Sequence, residues 1–175
     1  LADLKRIRLL VTDVDGVLTD GRITYDSNGA ESKSFHVRDG SGLKYWLRAG
    51  HQAAFLTGRQ SAVVDRRAAE LGIVLVEQGA KDKRPALARI LAAAGCGGDE
   101  TAYVGDDLPD LPVFAAVAYR VAVADAVAEL RAAADYVTKT PGGQGAVREV
   151  IELILRTQGR WATILERYGD GSAGA

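Results

Sequence analysis

Four short clusters in this 175-residue sequence hold residues able to do chemistry: Asp13 and Asp15, Thr57-Gly58-Arg59, Lys83, and the acids Asp106, Asp107 and Asp110. Asp13 and Asp15 follow the apolar run Leu9-Leu10-Val11-Thr12. Residues two apart in an extended chain lie on one side, and two carboxylates on one side repel unless a proton or cation stands between them. A hard divalent cation with oxygen ligands, Mg²⁺, meets that need. Asp106 can complete the oxygen set with Asp13, and the Asp15 carbonyl offers a neutral ligand. Thr57, the Gly58 amide and Lys83 suit phosphate, as a hydroxyl, a backbone donor and a compact positive charge. Asp13 can then serve as nucleophile and form an aspartyl-phosphate. Asp15 can protonate the leaving alcohol and later take a proton from water. Each cluster also has a plain reading. Asp-x-Asp-Gly fits a solvated turn, and Lys83 and Arg59 fit surface residues at helix starts, although a cation there opposes the helix dipole.

The elements around these clusters must bring them together. Residues 9–12 read as a buried parallel strand. Further strands are expected at 52–56, 73–76, 101–104, 119–123 and 136–137. Helices alternate with them. One follows a turn at 37–42, one is capped by Ser61, and one is capped by Asp82 and runs to Ala94. Shorter ones lie near 111–116 and 126–134, and the last carries Val147, Val150, Ile151, Ile154 and Leu155 at helical spacing. Such alternation predicts an α/β fold, a Rossmann-like parallel sheet with helices on both faces. Asp13 and Asp15, Thr57 to Arg59, and Asp106 to Asp110 then fall at carboxyl ends of strands, where ligands bind in such sheets. Asn28-Gly29 between two β-prone runs predicts a hairpin at about 22–36. It is inserted after the first strand, and no insertion is long enough for a large cap domain. One domain over 1–159 is expected. A tail over 160–175 is expected to be weakly helical to Tyr168 and disordered beyond.

Composition narrows the partners. The formal net charge of −1 gives no electrostatic case for nucleic acid or an anionic membrane surface. No apolar run reaches the roughly 18 residues of a membrane span, and no secretory leader is recognisable. The single cysteine, Cys96, allows no internal disulfide, which fits a reducing cytoplasm.

Asp13-x-Asp15, Thr57-Gly58, Lys83 and Gly105-Asp106-Asp107-x-x-Asp110, in this order, resemble the four motifs of the haloacid dehalogenase-like phosphohydrolases. The chain resembles most closely the 3-deoxy-D-manno-octulosonate 8-phosphate phosphatase branch, which serves lipopolysaccharide synthesis. Matches also run through Phe35 to Gly40, Gln78-Gly79 and Gly142 to Glu149. Gln144 stands where many members of the branch carry arginine. The resemblance implies a Mg²⁺-dependent phosphomonoesterase working through a phosphoaspartate, with Asp13, Asp15 and Lys83 catalytic and Asp13, Asp15 and Asp106 holding the metal. It implies phosphate contacts from Thr57, Gly58 and Lys83, substrate contacts from Arg59 and Arg67, and secondary acids at Asp107 and Asp110. It further implies a homotetramer whose hairpins form a central barrel and whose neighbouring chains complete each site. Two alternatives stand beside it. One is a sugar-acid 9-phosphate phosphatase, against which Arg59 argues because those enzymes tend to carry Glu there. The other is a non-catalytic phosphatase-fold module, against which the presence of both Asp13 and Lys83 argues. Phosphate transfer to an acceptor other than water uses the same intermediate and is not separated from hydrolysis by sequence.

Overall fold

A computed structural model describes residues 3–169. Strand β1 (Leu9–Thr12) is buried along its whole length. A chain this apolar on both sides can only sit in the middle of a covered sheet. It pairs in parallel with β4 (Gln52–Leu56) and with β6 (Thr101–Gly105). The remaining parallel strands are β5 (Leu75–Glu77), β7 (Tyr119–Ala122) and β8 (Tyr136–Val137), giving the order β5-β4-β1-β6-β7-β8. The chain therefore winds outward from β1 to β5, then returns to β6 and winds the other way. That reversal opens a crevice above the carboxyl ends of β1 and β6, the place where such sheets bind ligands.

Helices α1 (Val37–Arg48), α2 (Ala62–Leu71) and α6 (Ala146–Thr157) pack together on one face, with α1 against both α2 and α6. Helices α3 (Lys83–Ala94), α4 (Leu111–Phe114) and α5 (Ala128–Ala133) form the other layer. Trp46, Tyr103 and Phe55 are the largest fully buried side chains of the core. Ser61 and Asp82 cap α2 and α3 as expected, accepting from the amides of Val63 and Arg84.

Three local expectations are corrected. The segment expected as a turn at 37–42 is already helix, capped by His36 Nδ1 on the Arg38 amide at 3.2 Å. Gly40 and Gly42 read as turn residues by propensity, but they are needed for packing. A Cβ on Gly42 would lie 3.2 Å from Arg148 Cα, and one on Gly40 would meet the Arg67 guanidinium at 2.3 Å. The hairpin strands are β2 (Thr24–Tyr25) and β3 (Glu31–Ser32), closer to the turn than the run at 33–36. Asp26 tightens that turn by accepting from the amides of Asn28 and Ala30, both at 2.8 Å. Strand β5 starts two residues late because Ile73 still belongs to the helix end, its amide bonded to the Ala68 carbonyl. Beyond Gly159 the chain forms α7 (Trp161–Glu166), whose buried Trp161 meets Tyr45 edge to face at 6.0 Å. The disorder expected at the end of the tail concerns residues 170–175, which lie outside the described residues.

Candidate active site

Just past β1 the chain turns sharply. The amides of Leu18 and Thr19 both reach the Val14 carbonyl, at 2.9 and 3.1 Å. Gly16, at φ +89°, sits in the middle of this turn, and a Cβ there would lie 2.0 Å from an Asp106 carboxylate oxygen. Only glycine fits a left-handed position so close to another strand's acid. A second backbone approach seals the turn from the side. The loop before α6 packs onto it so closely that a Cβ on Gly142 would fall 1.7 Å from the Gly16 carbonyl. The Gly143 amide donates to the Val17 carbonyl at 2.9 Å.

The site grows from these strand ends. Asp13 accepts from the Val14 amide at 2.6 Å and from Lys83 Nζ at 2.7 Å. Lys83 is the first residue of α3 and is buried, with its ammonium also donating to Asp110 at 2.6 Å and Tyr103 Oη at 3.2 Å. Asp110 accepts further from Tyr103 Oη at 2.5 Å and from the amides of Asp106 and Asp107 at 2.9 and 3.2 Å. Burial works against the Lys83 charge, but Asp13 and Asp110 outweigh it and hold its pKa above the usual lysine range. Burial pushes Asp13 up to about 6 even against Lys83, with Asp110 adding to the rise. Burial, then the charges of Asp13 and Asp110, push Asp106 up to about 8.

A charge imbalance adds to the effect of burial. Asp13, Asp106 and Asp110 face one buried cation, Lys83, so the cluster carries two uncompensated negative charges when ionised. A carboxylate oxygen from each of the three acids lies within 4.8 Å of the others. Asp110, however, is already occupied by four donors. Asp106 Oδ1 is buried without a hydrogen-bond partner. The carboxylate oxygens best suited to a hard divalent cation are therefore those of Asp13 and Asp106.

Eight of the ten residues singled out by sequence line one cavity of about 170 Å³: Asp13, Asp15, Thr57, Gly58, Arg59, Lys83, Asp106 and Asp107. Asp110 lies beneath it as the anchor of Lys83. Arg67 is not brought to it; its guanidinium lies 5.4 Å from the Phe35 ring centroid and 3.3 Å from Glu70. Arg59 lies at the rim, donating to Glu31 at 2.8 Å and Tyr25 Oη at 3.1 Å on the hairpin. These two bonds hold its guanidinium firmly protonated. Sequence reading missed Tyr103, which looks like any strand aromatic, and Lys33 and Glu31, which belong to a polar hairpin. Lys33 nevertheless pairs with Asp15.

Comparison with known proteins identifies relatives of this chain. A family model described as haloacid dehalogenase-like hydrolase matches residues 73–151. The 3-deoxy-D-manno-octulosonate 8-phosphate phosphatase of Haemophilus influenzae is 48% identical over 157 residues, covering 90% of this chain and 87% of that one. The Moraxella catarrhalis phosphatase of the same name was solved with magnesium, phosphate and a KDO molecule. It superposes with a TM-score of 0.91 at 44% identity, covering 94% of this chain and 95% of that one. A cobalt-bound structure of the Haemophilus influenzae enzyme gives a TM-score of 0.89 at 48% identity, over 91% and 94% of the two chains. The chain belongs to the 3-deoxy-D-manno-octulosonate 8-phosphate phosphatase family of the haloacid dehalogenase-like hydrolases.

Proposed function

We propose that this protein hydrolyses 3-deoxy-D-manno-octulosonate 8-phosphate to the free sugar acid and phosphate, using Mg²⁺ and an aspartyl-phosphate on Asp13. The observation that carries the reading is Asp13 held by Lys83 beside the unpaired Asp106 carboxylate, at the mouth of the sheet crevice. Mg²⁺ held by Asp13, Asp106 and the Asp15 carbonyl would offset the repulsion between Asp13 and a phosphate dianion. Lys83 orients Asp13 and offers its charge to the transferring phosphoryl group. Thr57 and Gly58 border the same cavity and fix the phosphate. Asp15 gives a proton to the leaving alkoxide and takes one from the attacking water. Arg59, at the rim, suits the sugar carboxylate as a planar donor pair.

The cavity of about 170 Å³ is smaller than the roughly 300–1,000 Å³ of small-molecule sites. It holds the phosphate end, and the sugar acid projects beyond it. Ile23, Tyr25 and Val37 expose apolar surface on and beside the two-stranded hairpin, which is too small to be stable unsupported. A homotetramer in which neighbouring chains cover the hairpin and complete the site accounts for both features, and would let Arg67 serve a neighbour. A cytoplasmic setting agrees with the lone, buried Cys96. Among the described residues no helix is long and apolar enough to cross a membrane.

The test is phosphate release from the octulosonate 8-phosphate. Activity is expected to vanish with a chelator and return with Mg²⁺. Asp13→Asn should lower turnover by on the order of 10⁴-fold or more while the fold survives. Near-normal turnover in that variant would sink the covalent route. Sedimentation should give a tetramer, and a fully active monomer would overturn the shared site.

A further inference from the structure

Lys33 follows β3 on the hairpin, eighteen residues beyond Asp15, and its ammonium rests on Asp15 Oδ1. The Lys33 side chain is only 1% exposed. A second acid, Glu31, lies 3.5 Å from the same ammonium. The other oxygen of Asp15, Oδ2, is buried and has no hydrogen-bond partner. Arg59 Nε, likewise buried and unpartnered, lies 3.9 Å from it. The Asp15 carboxylate is therefore held unequally, with one oxygen fastened and the other open.

Seating the hairpin does not require this arrangement. Arg59 already ties the hairpin to the strand ends through Glu31 and Tyr25. Burying an ammonium is expensive unless it is paired, and here Asp15 and Glu31 supply the pairing. What the ammonium adds is a fixed orientation for one carboxylate.

We propose that Lys33 is a positioning residue for proton transfer by Asp15, fastening Oδ1 so that Oδ2 is the atom that exchanges the proton. This rests on the reading of Asp15 as the general acid and base. In the first step an Asp13 oxygen bonds to phosphorus and the phosphorus–ester oxygen bond breaks. The bonding pair leaves on the ester oxygen, and the proton on Asp15 Oδ2 neutralises it. In the second step a water oxygen bonds to phosphorus, its proton passes to Oδ2, and the bond from phosphorus to Asp13 breaks. Lys33 gains and loses nothing in either step.

The experiment follows the leaving group. An alkoxide needs the proton, whereas para-nitrophenolate departs without it, so misplacing Asp15 should slow only the first. Single-turnover release from octulosonate 8-phosphate and from para-nitrophenyl phosphate is measured with Mg²⁺ for wild type, Lys33→Met, Lys33→Gln, Lys33→Arg and Asp15→Asn. In Lys33→Met the alkyl rate is expected to fall about 10- to 100-fold and the aryl rate less than about threefold, with KM little changed. Lys33→Arg should recover most of the alkyl rate. Lys33→Gln is read in place of Lys33→Met if only the former keeps the wild-type circular dichroism. Equal losses on both substrates, or none, overturn the proposal when Asp15→Asn does discriminate between them. If Asp15→Asn shows no such bias, the role of Asp15 fails and the Lys33 proposal falls with it.

Discussion

The two ends of the sheet both carry short ion pairs, and distance does not tell them apart. At the carboxyl end Lys83 lies 2.7 Å from Asp13 and 2.6 Å from Asp110, with the Lys83 and Asp110 side chains 2% and 1% exposed. At the amino end Arg6 lies 2.6 Å from Asp99, with both side chains about three-fifths exposed. The lower pair sits in water, which screens it and competes for both partners. The upper pairs are buried, where each charge has lost most of its water and depends on its neighbours. Burial makes the upper cluster costly to hold and able to act on a phosphate. The lower pair, exposed on both sides, adds little to stability.

The largest effect on stability should therefore come from removing Asp110, which touches no substrate in this reading. Asp110→Ala takes the acceptor from Lys83, from Tyr103 and from two amides of the strand-end turn at once. Breaking a buried pair by removing one partner costs about 3–5 kcal/mol, so the urea midpoint should drop sharply. Turnover should fall on the order of 10²-fold, because Lys83 loses the contact that aims it at Asp13. A variant with normal stability and activity would mean that the buried cluster is no stronger than the exposed pair.

Between the two extremes lies Glu149, half-buried at the start of α6. Its carboxylate accepts from Tyr136 Oη, Thr140 Oγ1 and the amides of Lys139 and Thr140, at 2.7 to 3.1 Å. Burial alone would raise its pKa, but these donors prevail and hold it below the usual carboxylate range. A depressed folded pKa gives stability that is present above the unfolded value, about 4.3, and is lost as pH falls toward the folded one. Glu149→Gln should cost about 1–3 kcal/mol near neutral pH. The gap from wild type should narrow as the pH falls from about 5 towards 3, measured by urea unfolding at each pH. A gap that stays constant with pH would mean the donors do not favour the charged form. The same variant loosens the loop that presses Gly142 onto the Asp13 turn, so a modest loss of turnover should accompany it.

How much of this could be read from sequence follows from where the information lies. Buried parallel strands and their terminal acids are local patterns, and β1 with Asp13 and Asp15, β6 with Asp106, and Asp82 capping the helix of Lys83 were all readable. Helix α1 was half hidden because Gly40 and Gly42 disfavour helix locally, and only the close approach of α2 and α6 explains them. The hairpin register depended on Asp26 capturing two amides, a side-chain effect that strand propensity does not report. Tyr103 and Lys33 could not be assigned at all. Their partners, Lys83 and Asp15, are twenty and eighteen residues away in the chain and meet only through tertiary packing.

The smallest effect belongs to the exposed pair, and it is the sharper half of the comparison because it predicts nearly nothing. Arg6 and Asp99 are drawn together just ahead of the first residues of β1 and β6, at 2.6 Å. That distance, taken alone, would rank the pair with Lys83 and Asp110. Each side chain must give up rotamer freedom to hold it, and solvent surrounds both. A double-mutant cycle with Arg6→Ala and Asp99→Ala should return a coupling of no more than about 1 kcal/mol. Because the attraction acts through water, raising the salt to about 1 M, where the screening length is about 3 Å, should erase what remains. The same cycle on Lys83 and Asp110 should give a coupling several times larger that salt barely changes. Phosphatase activity should be untouched in either Arg6→Ala or Asp99→Ala. A large, salt-resistant coupling at the amino end would mean that burial is not what separates the two ends of this sheet, and the ranking of all three sites would have to be rebuilt.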